Sequence, residues 1–188
     1  MTRRQLRRSP RWARGVTAVE VSAAIALMGS AIVVAVPAAL RNMKASRFVE
    51  PVSGLGAIGV GAVAYATEIS DRRTFPHAVA LTPSVPPRGR LAVDPPGTWS
   101  DPTWVALEFP CPRNNPDGCV IGDGEPHAFA FAFDSASAGG RSTFVAQAHG
   151  DLDGDGAWST FEIRGHSVVG AAEGPVVEPG MYVEAELE

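Results

Sequence analysis

Hydrophobic residues dominate one long stretch near the start of the chain. Residues 21–40 read VSAAIALMGSAIVVAVPAAL, 20 positions without a charge. A helix of that length rises about 30 Å, which matches the hydrocarbon core of a bilayer. A cleaved secretory signal has a shorter apolar run of roughly 7–15 residues. The pattern therefore predicts a membrane-spanning helix.

The pattern changes to that of an amphipathic helix over 41–73. Apolar residues recur there at three- and four-residue spacings, which places them on one helix face: Leu55, Ile58, Ala62, Tyr65, Ala66 and Ile69. Pro51 interrupts this pattern, and the residue before a proline is biased away from helical geometry. We therefore expect a helix broken near Pro51, with Glu50 outside the helical region.

The rest of the chain, 74–188, predicts a β-rich globular domain. Prolines and glycines are frequent over 82–126, which indicates a long irregular segment with 99–109 as its first strand candidate. Residues 127–133 read HAFAFAF, and this period of two predicts a strand with its phenylalanines on one face. That face is expected to pack on the apolar stripe of the helix, with 143–148 as a partner strand across a polar loop at 134–141.

The charge distribution divides the chain at Gly15. Six arginines and no acidic residue precede Gly15, whereas ten basic and twenty acidic residues follow it, a formal charge of −10. So acidic a body lacks the cationic surface that nucleic-acid binding requires. Arginines before an apolar helix favour a cytoplasmic N-terminus and an exported remainder. We expect a single-pass membrane protein without a nucleic-acid partner.

Glu20 stands one residue before the uncharged run, where a carboxylate is costly in lipid unless it finds a partner. Residues 15–20, Gly-Val-Thr-Ala-Val-Glu, lie behind a short basic leader and ahead of the apolar helix. This arrangement resembles the processing site of type IV prepilins and of the pseudopilins of type II secretion. Pro37 also matches the family's proline late in the apolar helix. Ala18, where a larger aliphatic residue is usual, favours a minor or divergent member.

The resemblance implies a fold, a processing step and partners. It implies an α+β pilin-like fold, in which a long N-terminal helix packs on a C-terminal antiparallel sheet. A prepilin peptidase would remove the leader, 1–15, at the Gly15–Val16 bond, and Val16 would be N-methylated. Residues 16–40 would then serve for membrane insertion and assembly with other pilin-like subunits at an inner-membrane platform. The subunit would move from the inner membrane into a periplasmic or extracellular filament.

Cleavage gives Glu20 a physical role. It creates an α-amino cation at Val16, and the carboxylate four residues along can pair with that amine of a neighbouring subunit, which neutralises two charges in lipid. Glu20 and Pro37 are accordingly the predicted assembly residues.

Cys111 and Cys119 bracket the turn-forming sequence PRNNPDG. In an exported protein this spacing predicts a disulfide that closes a short loop with modest stabilisation. Only two cysteines with seven intervening residues fit neither a C-x-x-C redox pair nor a metal site.

The segment 151–162 carries the most specific chemistry. Asp151, Asp153 and Asp155 alternate before Gly156, and Glu162 follows after five further residues, which is the spacing of an EF-type calcium loop. The aspartates would each give one oxygen, Ala157 its carbonyl, Ser159 a hydroxyl or water, and Glu162 both carboxylate oxygens. Because the flanks are strand-like, we expect this Ca²⁺ loop within a β-hairpin.

An acidic turn and a dinucleotide-binding site are the alternative interpretations of these motifs. An ordinary acidic turn would use the aspartates only to cap backbone N–H groups, but four acids without a lysine or arginine among them repel one another. Gly54, Gly56 and Gly59 form GxGxxG, yet no strand precedes them, so close helix packing is preferred to dinucleotide binding.

The sequence predicts no enzyme, because it holds no GxSxG, HExxH or P-loop motif. The preferred function is a structural subunit of a type IV pilus or type II secretion pseudopilus. The alternative is a membrane-anchored, extracytoplasmic calcium-binding domain with an adhesive or surface role.

Overall fold

The computed structural model describes residues 17–46, 48–68, 73–110 and 125–185. The chain divides into two units, Met1–Arg41 and Asn42–Glu188. The helices of the described part are α1 (Ala18–Ser46), α2 (Val49–Glu68) and α3 (Pro102–Ala106). Its strands are β1 (Val79–Thr82), β2 (Phe129–Ala138), β3 (Arg141–Gly150), β4 (Ser159–Val168), β5 (Val176–Val177) and β6 (Tyr182–Glu184). Helices with an antiparallel sheet are the coarse class that the sequence predicts.

α1 is exposed along its apolar part. Every side chain from 17 to 37 is solvent-exposed, and the helix continues through Pro37. The span Ala18–Pro37 is long and apolar enough to cross a membrane, a test that membrane anchors and signal sequences both pass. α2 passes the same test by composition, but one of its faces is buried within its own unit.

α2 corrects the expectation for Glu50. The helix begins at Val49, so Glu50 lies in its first turn, and the interruption after α1 falls before Val49. Pro51 is accommodated because first-turn N–H groups have no acceptor within the helix, so the missing donor costs nothing there.

One face of α2 packs against the sheet. Four residues of the predicted apolar stripe are fully buried: Leu55, Ile58, Ala62 and Ala66. Gly54 lies against the Phe131 ring, where an added Cβ would come within 2.5 Å of two ring carbons. Gly59 approaches Ile163 and Val177 in the same way, at 3.1 Å. These two glycines of the GxGxxG motif therefore serve close packing.

All pairings within the sheet are antiparallel, in the order β1-β2-β3-β4-β5, and β6 also pairs with β4. The strand predicted over 127–133 is present as β2, and its phenylalanines are buried. β2 runs further than expected, because the predicted loop at 134–141 shrinks to Gly139 and Gly140. Their φ values of +59° and +82° suit a two-residue hairpin turn.

Two phenylalanines of the sheet each face a glycine on the neighbouring strand. Phe129 pairs with Gly150, and an added Cβ on Gly150 would lie 2.7 Å from the ring. Phe144 pairs with Gly165 in the same manner, so that a side chain at 165 would overlap the ring. The missing side chains make room for the aromatic rings in the core.

The strand expected over 99–109 is wrong, because this segment holds α3 instead. The Asp101 carboxylate accepts a hydrogen bond from the Thr103 N–H at 2.8 Å, and Pro102 occupies the first helical turn. An N-cap aspartate followed by proline is a helix start. The segment contributes an aromatic cluster in which the Trp99 and Trp104 ring centroids lie 5.6 Å apart.

A buried polar group links this region to β2. The Nε2 atom of His127 lies 2.9 Å from Oδ2 of Asp94, and Nδ1 lies 2.9 Å from the carbonyl oxygen of Phe129. The Trp99 indole N–H donates to the same Asp94 oxygen at 2.9 Å. The Ala92 and His127 backbones also exchange two hydrogen bonds of 2.9 Å, and these hold the irregular segment against the start of β2.

Candidate functional site

The acidic loop connects β3 to β4. The last pair of the ladder is Gly150 with Ser159, so the loop spans 151–158 and closes a hairpin as the sequence predicts. Asp151, Asp153 and Asp155 each bring a carboxylate oxygen within 4.8 Å of the other two. Gly154 and Gly156 adopt φ of +84° and +96°, the left-handed geometry that lets the loop turn back on itself.

Each aspartate also folds the loop through a backbone N–H. Oδ1 of Asp151 accepts from Gly154 at 2.7 Å, Oδ1 of Asp153 accepts from Asp155 at 3.2 Å, and Oδ1 of Asp155 accepts from Ala157 at 2.7 Å. These bonds are the ones that an acidic turn would make. They leave a second oxygen on each of Asp151 and Asp155 that accepts none of these bonds.

One of those oxygens is buried. Asp151 is 1% exposed, and its Oδ2 has no hydrogen-bond partner among the described residues. A buried, ionised oxygen without a donor is costly, and more so than a neutral group. A bound cation would satisfy this oxygen, so its lack of a hydrogen-bond donor is the feature that distinguishes the loop from an ordinary acidic turn.

Glu162 is not brought to the aspartates. It lies on β4 opposite Gln147. Because a strand rises about 3.3 Å per residue, Glu162 is some 10 Å further along β4 than Ser159, the residue that ends the loop. Its Oε2 accepts from Gln147 Nε2 at 2.8 Å, and its Oε1 accepts from Arg164 Nε at 2.6 Å. The predicted bidentate ligand therefore lies within the sheet, because strand pairing replaces the helix that an EF-hand has here.

Ser159 and Ala157 contribute to the loop in other ways than predicted. The Ser159 hydroxyl is fully buried and donates to the Gly150 carbonyl at 3.0 Å, which closes the base of the hairpin. Ala157 donates its N–H to Asp155 Oδ1 at 2.7 Å. Of the six predicted ligands, the structure brings the three aspartate side chains together.

A contact that the sequence did not indicate comes from the proline-rich segment. The Gly89 N–H donates to the Asp151 carbonyl oxygen at 2.7 Å, and Arg88 Nε lies 4.0 Å from Asp151 Oδ2. Gly89 has φ of +61°, and an added Cβ would stand 3.3 Å from the Asp153 carbonyl oxygen. The segment thus rests on the loop backbone, more than sixty residues away in sequence.

Burial and charge act in opposite directions on the two titratable groups beside the loop. Burial raises the pKa of Glu162, but the bonds from Gln147 and Arg164 outweigh it and hold that pKa below its usual value. Burial lowers the pKa of His149, and the Glu162 charge opposes this only in part. The His149 ring lies beside Trp158, with the ring centroids 5.7 Å apart.

These residues fit a hard divalent cation through oxygen ligands. Three carboxylates on alternate positions and one orphaned oxygen suit Ca²⁺, which takes six to eight oxygens. Without Glu162 the protein side chains supply fewer oxygens than an EF-hand loop, so water would fill the remaining positions. A set of this kind belongs to the weak, extracellular range of calcium affinities.

The second predicted site is the N-terminus of α1. Glu20 Oε2 accepts from the Thr17 N–H and hydroxyl, both at 2.8 Å, and the Glu20 N–H donates to the Thr17 hydroxyl at 3.3 Å. This is a capping box, which the Thr-x-x-Glu spacing could have indicated. Gly15, Val16, Cys111 and Cys119 lie outside the described residues, so the cleavage site and the disulfide stay predictions.

Comparison with protein-family models, curated proteins and solved structures finds no match.

Proposed function

We propose that this chain is a structural subunit of a type IV pilus or a type II secretion pseudopilus, cleaved at Gly15–Val16 and assembled through its N-terminal helix. The observation that carries the proposal is α1. A 20-residue apolar span, exposed throughout, starts directly behind the cleavage-type sequence and has Glu20 in its first turn.

Physical chemistry favours a partner for such a helix. Exposed side chains such as Ile25, Leu27 and Val33 are 63–73% accessible, and a surface of this kind is stable only in lipid or against other helices. A bilayer takes it up before assembly, and neighbouring subunits take it up afterwards. The proposed location is accordingly the inner membrane, with a cytoplasmic N-terminus, and then a periplasmic or extracellular filament.

The second unit supports the pilin-like form of the α+β class. α2 buries one face on an antiparallel sheet whose core is lined by Phe129, Phe131, Phe133 and Phe144. Its proposed partners are other pilin-like subunits, the prepilin peptidase and the inner-membrane assembly platform.

We also propose that Ca²⁺ binds Asp151, Asp153 and Asp155 as a structural ion. The orphaned Oδ2 of Asp151 supports this role. The ion would hold the β3–β4 connection in one conformation and relieve the repulsion among three carboxylates. Such an ion stabilises the folded domain and need not take part in signalling.

The aspartate group also favours one second function. A monomeric, membrane-anchored calcium-binding domain with an adhesive or surface role would have the same loop and the same apolar helix. The two functions separate at Gly15, because only the filament subunit requires processing there.

The deciding experiment is an intact mass and N-terminal sequence of membrane-extracted protein. A mature chain that begins at N-methylated Val16 is expected. Gly15→Ala should reduce cleavage mildly, and Gly15→Leu should block it, since the peptidase must fit the residue before the bond. A protein that retains Arg14 contradicts the filament proposal and leaves the membrane-anchored domain. A protein that starts beyond Pro37 contradicts both, because the anchor itself is then removed.

A further inference from the structure

Arg88 stands beside the one buried oxygen of the acidic loop that has no hydrogen-bond partner among the described residues. Its Nε lies 4.0 Å from Asp151 Oδ2, too far for a hydrogen bond but close enough for an ion pair. The Arg88 side chain is 70% exposed, whereas the Asp151 side chain is 0% exposed. The positive charge therefore approaches the buried carboxylate from the solvent side.

The backbone of this segment is attached separately from the side chain. The Gly89 N–H donates to the Asp151 carbonyl at 2.7 Å, and this bond involves no atom of the guanidinium. Arg88 can therefore swing into water while the segment stays on the loop. Only the guanidinium end of this ion pair is exposed, and at 4.0 Å it forms no hydrogen bond, so its departure costs little once a cation neutralises the Asp151 carboxylate.

A divalent cation and a guanidinium cannot both neutralise one carboxylate oxygen at close range. Two like charges a few ångströms apart repel by about 1–4 kcal/mol per unit charge product, depending on local dielectric. Ca²⁺ at the aspartates would also need Asp151, which is the buried member of the group and whose Oδ1 already accepts from the Gly154 N–H.

We propose that Arg88 is a displaceable counter-ion of the cation site, so that Ca²⁺ and the guanidinium compete for Asp151. Without calcium, Arg88 offsets part of the negative charge of the loop. With calcium, Arg88 moves into solvent. This inference rests on the calcium site of the proposed function and adds that Arg88 weakens calcium binding and sets the concentration at which the site fills.

Arg90 provides the matched control. It lies two residues along the same segment, is exposed, and forms no hydrogen bond or ion pair in the described part of the chain. Arg90→Gln removes the same formal charge as Arg88→Gln from almost the same place, without the contact to Asp151. Arg88→Lys keeps the charge.

The test titrates Ca²⁺ into full-length, detergent-solubilised protein by calorimetry. Arg88→Gln should bind calcium about three- to tenfold more tightly than wild type, Arg88→Lys close to wild type, and Arg90→Gln within about twofold. Melting in chelator gives an independent signature. Arg88→Gln should melt lower than wild type without calcium, because Asp151 loses its counter-charge, and should gain more on calcium addition.

Two results overturn the inference in distinguishable ways. If calcium binds wild type, Arg88→Gln and Arg90→Gln equally, the cation site stands and the competition is refuted. If calcium binds neither wild type nor Arg88→Gln, the proposed cation site is refuted, and the proposed competition is refuted with it. Processing at Gly15 is unaffected by either result, so the filament proposal is judged separately.

Discussion

The Glu50 carboxylate, in the first turn of α2, accepts a hydrogen bond from the Phe129 N–H at 2.8 Å. The same carboxylate accepts from the Ala128 N–H, at 3.0 and 3.1 Å for its two oxygens. Both donors belong to fully buried residues at the start of β2. One side chain therefore joins the start of the helix to the start of the central hairpin.

Loss of this carboxylate should destabilise the second unit. Glu50→Ala leaves buried N–H groups without this acceptor and should lower the free energy of unfolding by about 2–4 kcal/mol. Glu50→Gln retains one acceptor oxygen and should lose about half as much. Urea unfolding followed by near-ultraviolet circular dichroism measures both variants. A Glu50→Ala protein within about 0.5 kcal/mol of wild type would contradict this role.

The glycines of α2 should respond oppositely to alanine. A Cβ at Gly61 would overlap the Leu107 carbonyl oxygen, a backbone atom that cannot rotate away. Gly61→Ala should therefore lower the melting temperature. Gly56 has no atom within 4 Å of an added Cβ, so Gly56→Ala should stabilise by up to about 1 kcal/mol through helix propensity. Equal changes in melting temperature for Gly61→Ala and Gly56→Ala would contradict the packing role of Gly61.

Calcium should raise the melting temperature through the aspartates and not through Glu162. At a calcium concentration of a hundred times Kd, the free energy of unfolding rises by about 2.7 kcal/mol. Extracellular calcium modules have Kd near 10⁻⁴–10⁻³ M. Replacing Asp153 and Asp155 by Asn should abolish this gain. The melting temperature in chelator should stay or rise, because repulsion is relieved. Glu162→Gln should keep the gain.

Two controls accompany the calcium experiment. Magnesium should substitute poorly, since it gives up its water reluctantly. Identical melting in chelator and in roughly 5–10 mM calcium, well above such a Kd, would return the loop to an ordinary acidic turn. If Glu162→Gln lost the calcium-dependent rise in melting temperature, Glu162 would be a calcium ligand, as the EF-type spacing predicts.

Glu162 should make the stability depend on acidic pH. Burial raises its pKa, but the bonds from Gln147 and Arg164 dominate, so the folded-state pKa lies below the ordinary 4.5. The unfolded chain then binds the proton more readily. This contribution to stability is complete above pH 4.5 and is lost as the pH falls through the folded-state pKa.

The variant Glu162→Gln isolates that effect. Measured in chelator, wild type should lose stability relative to Glu162→Gln as the pH falls below 4.5, while the difference stays constant above it. His149, Arg164 and Tyr182 face the same carboxylate and are retained in both proteins. If the stabilities of wild type and Glu162→Gln fell in parallel down to about pH 2–3, the lowered pKa of Glu162 would be contradicted.

Glu20 should act through its charge and not only through its capping box. Glu20→Gln keeps the acceptor that a capping box needs but removes the charge, so subunits should accumulate in the membrane without forming filaments. Thr17→Ala loses the capping hydroxyl, keeps the carboxylate and should still assemble. Filament yield by electron microscopy is the measurement. Wild-type yield from Glu20→Gln would reduce Glu20 to a helix cap.

Periodicity predicted the parts of the fold in which a single pattern decides. The alternation of Phe129, Phe131 and Phe133 predicted β2, and the helical spacing of Leu55 and Ile58 predicted the buried face of α2. The strand at 99–109 failed because the local signal of Asp101 and Pro102 marks a helix start, whatever the hydrophobicity of the tryptophans nearby.

The candidate site was predicted only in its local part. Spacing alone was enough to predict that the three aspartates lie close together, since they share one short loop. Glu162 was assigned by counting along the chain, but hydrogen bonding to β3 fixes where β4 runs and so where that carboxylate lies. Arg88 could not be predicted, because its approach depends on how the proline-rich segment folds back, which no local pattern encodes.

The pairing of phenylalanine with glycine makes the sheet intolerant of misalignment. The alanines and serines of β2 would accept a two-residue slip, because every side chain would keep its face. Phe129 over Gly150 and Phe144 over Gly165 oppose it, since a side chain in place of either glycine would overlap the ring. The two rings therefore help to fix the register of neighbouring strands. The register that they set is the one that brings Gly150 opposite Ser159 and so determines the length of the acidic loop.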